Sequence, residues 1–226
     1  MILLSDHIHA FPSPYDAPLD QDIIAIGGDL DPQRLLLGYS LGLFPWYNHG
    51  ETPILWQSPH PRFILFPDQV RVNRSLRRSL NRGHFTVTFD QAFERVLGRC
   101  AEIPRAQQEG TWLNPELIES LTALHYAGYV HSAETWCEGE LVGGLYGLTL
   151  GGIFIGESMF ADVSDASKVA FVHTARRLTE LGYQLIDCQA YTDNLARFGA
   201  FEIHRERFLD VMRDLLRVQP SAVWPT

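Results

Sequence analysis

An almost uninterrupted apolar run dominates the middle of the chain, between Glu140 and Phe160. Its sequence is ELVGGLYGLTLGGIFIGESMF, with no lysine, arginine or aspartate. Such runs are typical of buried strands, and the pair Gly151-Gly152 can adopt the positive backbone angles that a tight turn requires. The pattern therefore predicts two long strands that form a hairpin in the core.

One carboxylate, Glu157, lies near the far end of this run. Strand alternation predicts that its side chain shares a face with Ile155 and Met159. A carboxylate among apolar neighbours either reaches solvent at the end of the strand or is held in place for a function. Position alone leaves both interpretations open.

From Phe85 onward, strand-like and helix-like periods alternate along the chain. Caps mark the helices: Asn114 precedes Pro115 at the start of one, and Gly182 ends another. The predicted order is β-α-α-β-β-β-α-β-α-β-α. This order indicates an α/β (α+β) domain with a mixed sheet.

The segment up to Pro67 is instead rich in proline, glycine and aromatic residues. Asp31-Pro32 predicts the start of a short helix that ends near Gly42. The surrounding aromatic residues could form a recognition surface or pack a small domain against a larger one, and we favour packing. These aromatic residues are Phe44, Trp46, Tyr47 and Trp56. We expect a small N-terminal domain, residues 1–67, followed by a larger domain, residues 68–226.

The basic residues cluster between Val70 and His84, where four arginines follow one another at helical spacing. On a helix they form one ridge, and no acidic residue occurs from Gln69 to Phe89. Most charge runs are only solvated helix faces. In an acidic chain, however, an uncompensated arginine ridge favours the binding of phosphates. The four arginines are Arg74, Arg77, Arg78 and Arg82.

Composition narrows the possible classes of protein. The 226 residues are 46% hydrophobic and 20% charged, as in ordinary globular proteins, and the formal net charge of −9 argues against a general nucleic-acid coat. Three widely spaced cysteines indicate neither a disulfide framework nor a metal site. Neither a basic leader nor a membrane-spanning apolar run is recognisable, so we expect a cytoplasmic protein.

The segment LIDCQ offers candidate chemistry. Strand alternation predicts that Asp187 and Gln189 share one face and that Cys188 lies on the other as a small core residue. A carboxylate beside an amide can orient an amine nucleophile and stabilise its developing charge. The alternative is that Asp187 only caps a neighbouring loop. The sequence Gly156-Glu157-Ser158 lacks the second glycine of a hydrolase elbow, and no Walker or GxGxxG motif is present.

Taken together, several segments resemble the leucyl/phenylalanyl-tRNA–protein transferase family over roughly residues 10–215. The resemblance implies an enzyme that moves leucine, phenylalanine or methionine from tRNA to the N-terminal amine of proteins beginning with arginine or lysine, which marks them for degradation. It also implies a GNAT-type acyltransferase domain after a small N-terminal domain, with no metal and no cofactor. The segments are AIGGDLDPQRLLLGYSLGLFPWY, ILWQSPHPRFIL, TWL, LHYAGYVHSAETW, LVGGLYG, GESMF, DASKVA and LIDCQ.

The resemblance also implies roles for individual residues. Glu157, Asp187 and Gln189 match catalytic positions, and Trp46 and Trp112 match functional positions that suit stacking on a terminal base. The positions of the pocket for the donor side chain are Leu145, Phe154, Met159 and Ile186. Two residues depart from the family pattern: Leu145 replaces a methionine of that pocket, and Leu121 replaces a tyrosine near the terminal adenosine of the tRNA.

Two other functions compete with this interpretation. One is an acyl-CoA-dependent N-acetyltransferase on the same scaffold, although the pyrophosphate-binding pattern Q/R-x-x-G-x-G/A is missing before a helix. The other is a non-catalytic adapter that binds basic N-termini through acidic and aromatic groups. Transfer from leucyl-tRNA, turnover of acetyl-CoA, or binding without a product would distinguish the three.

Overall fold

The computed structural model of this protein describes residues 2–5, 10–47, 53–102, 113–221 and 224. Its helices are α1 (Pro32–Ser40), α2 (Arg74–Asn81), α3 (Phe93–Glu102), α4 (Pro115–Tyr126), α5 (Ala166–Leu181), α6 (Asp193–Arg197) and α7 (Arg205–Leu215). Its strands are β1 (Ile2–Leu4), β2 (Ile23–Gly27), β3 (Phe44–Pro45), β4 (Leu55–Gln57), β5 (Arg62–Leu65), β6 (Thr86–Phe89), β7 (Val130–Cys137), β8 (Glu140–Leu150), β9 (Ile153–Ala161), β10 (Leu185–Asp187) and β11 (Phe201–Ile203).

Two sheets organise the described residues. A four-stranded sheet has the order β1-β2-β4-β3, and a seven-stranded sheet has the order β11-β5-β10-β9-β8-β7-β6. In the larger sheet, β9 and β10 pair in parallel, whereas the other neighbours are antiparallel. The predicted mixed sheet and the predicted order of elements from Phe85 are both confirmed.

The hairpin of β8 and β9 forms the centre of the larger sheet, as the apolar run predicts. Its turn is Gly151-Gly152, and Gly151 has a φ of 54°. Side chains from alternate positions enter two apolar clusters: Tyr146 lies in the cluster with α3 and α4, and Phe154 lies in the cluster with α5. The sheet is therefore covered by helices on both faces, which explains why its strands lack the usual polar alternation.

Strand β5 does not belong to the small N-terminal unit, although the expected boundary at residue 67 placed it there. It pairs antiparallel with β10 and with β11, inside the seven-stranded sheet. All four of its residues are buried. A single sequence contains no signal for this placement, because the partners of β5 lie more than a hundred residues further along the chain.

Three of the four N-terminal aromatic residues are packed in the core, as we expected, whereas Trp46 is exposed. Phe44, Tyr47 and Trp56 are buried in the main apolar cluster. Arg205 reinforces this packing from the start of α7, because its guanidinium donates hydrogen bonds to the main-chain oxygens of four residues. These are Ala17, Pro18, Gln21 and Ser58. No helix in the described part of the chain is long and apolar enough to cross a membrane.

Candidate active site

A cavity of about 400 Å³ opens where β9 and β10 stop pairing. Their parallel ladder ends at Ile155 and Asp187, and residues on both sides of this point in the two segments line the cavity. The volume is in the range of small-molecule sites. The lining residues include Phe44, Trp46, Leu145, Tyr146, Phe154, Gly156, Glu157, Met159, Phe171, Ile186, Cys188, Gln189, Thr192, Asn194 and Leu195.

The structure brings the predicted pocket residues together in this cavity. Leu145, Phe154 and Ile186 are buried and come from three neighbouring strands. Met159 joins them from β9, and Trp46 contributes an indole that is 40% exposed. The result is an apolar recess with an aromatic residue that remains accessible to a partner.

Glu157 and Gln189 form the polar part of the lining. The side-chain amide of Gln189 donates to Glu157 Oε1 at 2.7 Å. Burial raises the pKa of the Glu157 carboxyl to about 7, and interactions with Tyr39 and Gln189 limit the rise. The Tyr39 hydroxyl is near this carboxylate but makes no hydrogen bond of ordinary geometry with the described residues. A carboxyl with a pKa near neutrality can accept a proton at physiological pH.

Glu157 occupies an irregularity in the hairpin, and this changes the face that strand alternation predicted. The register shifts between Tyr146 and Gly147, which pair with Ser158 and Gly156 and leave Glu157 as the extra residue. Beyond such a bulge the alternation is displaced by one residue. Ile155 and Met159 consequently contact different apolar clusters, so the expectation that Glu157 shares one face with both was wrong.

Asp187 does not line the cavity, contrary to the prediction that it lies beside Gln189 on the reacting face. Its carboxylate is 1% exposed and accepts two hydrogen bonds from Arg62, from Nε at 2.8 Å and from Nη2 at 2.5 Å. Arg62 also donates to the main-chain oxygen of Gly42 at 3.1 Å. A buried carboxylate needs such a partner, because desolvation of an unpaired charge is costly.

Asp187 instead fixes the position of Gln189. Asp187 Oδ1 accepts a hydrogen bond from the main-chain amide of Gln189 at 2.9 Å, and Gln189 has a φ of 62°, in the left-handed region. This conformation is unusual for a residue other than glycine. Strand β10 ends at Asp187, so the predicted alternation does not continue to Gln189. The two residues are connected through the main chain, not by a shared face.

Cys188 lines the cavity but is unsuited to act as a nucleophile. Burial raises the pKa of its thiol far above the ordinary value, and the charge of Asp187 adds to the rise. The thiol therefore stays protonated, and a protonated thiol is a poor nucleophile. The sequence-based interpretation of Cys188 as a small non-catalytic residue agrees with this, although its position on the cavity wall was not predicted.

The predicted arginine ridge lies on α2 and on the residue that ends it. The helix begins after Asn73, whose side chain accepts from the main-chain amide of Leu76 at 2.8 Å, and Leu76 is buried. The ridge arginines are exposed: Arg74, Arg77, Arg78 and Arg82. The ridge is thus available to a partner.

The family resemblance also assigned importance to Trp112 and Leu121. Trp112 lies outside the described residues. Leu121 is fully buried in α4 and packs in the main apolar cluster, not in the lining of the cavity. Among the described residues, no three histidine, cysteine, aspartate or glutamate side chains gather in a way that could hold a metal ion.

Sequence reasoning missed Arg62 and Tyr39. Arg62 had a signal, because an arginine within the otherwise apolar stretch RFIL must have a buried partner if the stretch is a strand. Tyr39 had none: it lies on the short helix α1, and its proximity to Glu157 depends on how the N-terminal unit packs.

Models of known families match most of this chain. Residues 64–213 match the model described as Leucyl/phenylalanyl-tRNA protein transferase, and residues 28–60 match the model of the N-terminal domain of the same proteins. The chain belongs to the leucyl/phenylalanyl-tRNA–protein transferase family. Members of this family are enzymes, and the predicted membership is confirmed.

Named relatives of the family are similar over nearly their whole length. A leucyl/phenylalanyl-tRNA–protein transferase of Myxococcus xanthus is 54% identical over 211 residues, which are 93% of this chain and 89% of the relative. The protein of the same name from Chromobacterium violaceum is 47% identical and covers 94% of both chains.

Solved structures with partial similarity are more distant. L-PGS from Bacillus licheniformis has 15% identity and a TM-score of 0.44, over 76% of this chain and 55% of that one. A GCN5-related N-acetyltransferase from Kribbella flavida has 10% identity and a TM-score of 0.39, over 73% and 58%. The strand order of this transferase family member itself shows a mixed α/β domain and a separate N-terminal sheet.

The raised pKa of Glu157 predicts how its charge affects stability. The folded state holds this proton more tightly than the unfolded state, so the protonated form contributes stability that is complete below pH 4.5 and is lost as the pH rises through about 7. Glu157→Gln removes the titration. Between pH 4.5 and pH 8 the wild type should lose stability that the variant keeps. We therefore expect the free energy of unfolding of the variant, measured in urea, to rise relative to that of the wild type. A difference that does not change with pH would contradict this.

The buried ion pair predicts strong coupling between Arg62 and Asp187. Arg62→Ala or Asp187→Ala alone leaves a buried charge without its partner and should cost about 3–5 kcal/mol, whereas the double variant should cost much less than the sum. Urea unfolding of the four proteins measures this coupling. The exposed pair Arg99–Asp162 is the matched control and should couple by less than about 1 kcal/mol. Additive effects at Arg62 and Asp187 would contradict the prediction.

Proposed function

We propose that this enzyme transfers leucine, phenylalanine or methionine from an aminoacyl-tRNA to the N-terminal amine of proteins that begin with arginine or lysine. The products would be substrates for degradation, and the reaction would take place in the cytoplasm. The observation that carries the proposal is the apolar cavity that ends at Glu157 and Gln189. The names of the relatives support the donor class.

The apolar recess would hold the side chain of the donor amino acid. Leu145, Phe154, Met159 and Ile186 provide a surface that favours large uncharged side chains, because burial of apolar area is favourable in proportion to its size. A charged side chain would lose its hydration there without gaining a partner. This selection suits leucine, phenylalanine and methionine.

The polar end of the cavity would hold the reacting atoms. The amine nitrogen of the acceptor attacks the ester carbonyl carbon, an amide bond forms, and the bond from that carbon to the ribose oxygen breaks. An aminoacyl ester is already activated, so the enzyme must mainly position the amine and accept its proton. Glu157, with its pKa of about 7, is suited to accept this proton, and the ribose oxygen takes up a proton as it leaves.

Gln189 would guide the amine towards the ester. An ionised carboxylate only accepts hydrogen bonds, so the NH₂ group of Gln189 faces Glu157 and its amide oxygen is left to accept from the amine. Asp187 is then a positioning residue that holds the main chain of Gln189. Asp187 would thus act on the amine indirectly, through Gln189 two residues further along the chain.

Negative charge near the cavity supports a cationic acceptor. Asp187 is buried and paired with Arg62, so Glu157 is the carboxylate of the lining that would attract the N-terminal residue. Tyr191 lies in the chain between the lining residues Ala190 and Thr192; it is exposed, and its hydroxyl donates to Asp193 at 2.9 Å. An aromatic ring and a carboxylate at this position suit an arginine or lysine side chain.

The tRNA would extend from the cavity across the surface. Trp46 and Trp112 are suited to stack on the terminal base of the tRNA, and the exposed ridge on α2 is suited to its phosphates. Such contacts give affinity that depends on salt but not on tRNA sequence. The proposal requires no metal, cofactor or membrane.

A transfer assay tests the proposal. The protein is incubated with leucyl-tRNA carrying labelled leucine and with a peptide that begins with arginine, and peptide-bound label is measured. The same peptide with an acetylated N-terminus is the control, because its blocked nitrogen cannot attack. We expect label on the free peptide alone, and Gln189→Ala should lower the rate at least tenfold. Turnover of acetyl-CoA instead, or peptide binding without transfer, would refute the proposal.

The role of the arginine ridge has its own test. The double substitution Arg77→Ala and Arg78→Ala should weaken the binding of leucyl-tRNA. It should also reduce the magnitude of the slope of log affinity against log salt concentration by roughly one to two. Fluorescence titration at several salt concentrations measures this. Arg213→Ala with Arg217→Ala removes the same charge from exposed positions near the C-terminus and should leave the slope unchanged. Equal slopes for all three proteins would mean that the phosphates bind elsewhere.

A further inference from the structure

Most glycines of the central hairpin are required by the fold. A methyl group at Gly143 would lie 2.5 Å from the Ala166 side chain, and one at Gly147 would lie 2.3 Å from the main-chain oxygen of Ile155. These separations are far below any tolerable contact. Glycine at these positions lets the chain pack against itself.

Gly156 has no such requirement. The nearest atoms to a methyl group built there are the main-chain oxygen of Asp187 at 3.7 Å and a ring carbon of Phe154 at 3.9 Å, both at ordinary contact distance. Its φ also lies outside the left-handed region that favours glycine. Glycine within a strand is destabilising relative to alanine. Neither the fold nor the backbone conformation therefore explains glycine at this position.

The location of Gly156 suggests what the missing side chain leaves room for. Gly156 lines the cavity, two residues after Phe154 and directly before Glu157. Alternation along β9 puts a side chain at 156 on the face of Phe154, which is the face that carries the apolar recess. The open volume at Gly156 is thus part of the recess, next to the group that is suited to take the proton.

We infer that Gly156 is a specificity-determining position that keeps the recess wide enough for an aromatic donor side chain as well as for leucine. The inference rests on the proposed function and adds to it the feature that sets the upper size of the donor. A methyl group at Gly156 would remove volume that a phenyl ring needs and that the smaller leucine side chain leaves unfilled. In a closely packed site, one added carbon atom changes the affinity for a large ligand more than the affinity for a smaller one.

Gly156→Ala tests the inference with two donors. We expect kcat/KM with phenylalanyl-tRNA to fall about tenfold or more, and kcat/KM with leucyl-tRNA to fall by less than about threefold. The melting temperature should not drop, because the methyl group meets no close neighbour. Gly98→Ala is the matched control: Gly98 lies on α3 with no atom within 4 Å of an added methyl group, and both donors should be unaffected.

Binding measurements separate this inference from the proposed reaction. Phenylalanine and leucine, each joined by an amide bond to 3′-amino-3′-deoxyadenosine, cannot be transferred but can occupy the recess. Gly156→Ala should weaken the affinity for the phenylalanine compound about tenfold relative to the leucine compound, as measured by calorimetry. Equal effects on both donors, or on both compounds, would overturn the inference. Wild-type protein that binds the compounds but transfers neither donor would refute the proposed function alone.

Discussion

The rest of the site depends on the buried ion pair between Arg62 and Asp187. Both side chains are removed from water, and that is tolerable only because each has further partners. Arg62 donates to the main-chain oxygen of Gly42 and lies 4.4 Å from the ring centre of Phe208, so one guanidinium contacts the turn after α1, strand β10 and helix α7. The pair thereby connects the N-terminal unit to the sheet at the point where the cavity begins.

The consequences extend from this pair to the reacting groups. Asp187 holds the main chain of Gln189 in a conformation that it would not otherwise favour, and Gln189 in turn bonds to Glu157. Burial is the main cause of the raised pKa of Glu157; the charge of Asp187 adds to the rise and the charge of Arg62 opposes it. The cost of burying Glu157 is what makes it a base near neutral pH, so stability and reactivity oppose each other at this residue.

Much of the molecule could be predicted before its structure was known. The order of elements from Phe85, the hairpin at Gly151-Gly152 and the exposed arginine helix all follow from periodicity, caps and turn residues. Several pocket residues also lie together as the family resemblance implied. The errors concern Asp187, the face of Glu157 and the sheet that contains β5. In each case local alternation was extended across an irregularity, or a partner was too distant in sequence to be recognised.

The sequence by itself determined what is local: where helices begin and end, which residues are apolar, and which stretch carries the arginines. Such features depend on neighbours within a few residues, and their energies can be inferred from residue types alone. The tertiary structure decided the partner of Asp187, which lies 125 positions away, the bulge at Glu157 and the open volume beside Gly156. These depend on strand register and on packing between distant segments, which a single sequence does not specify.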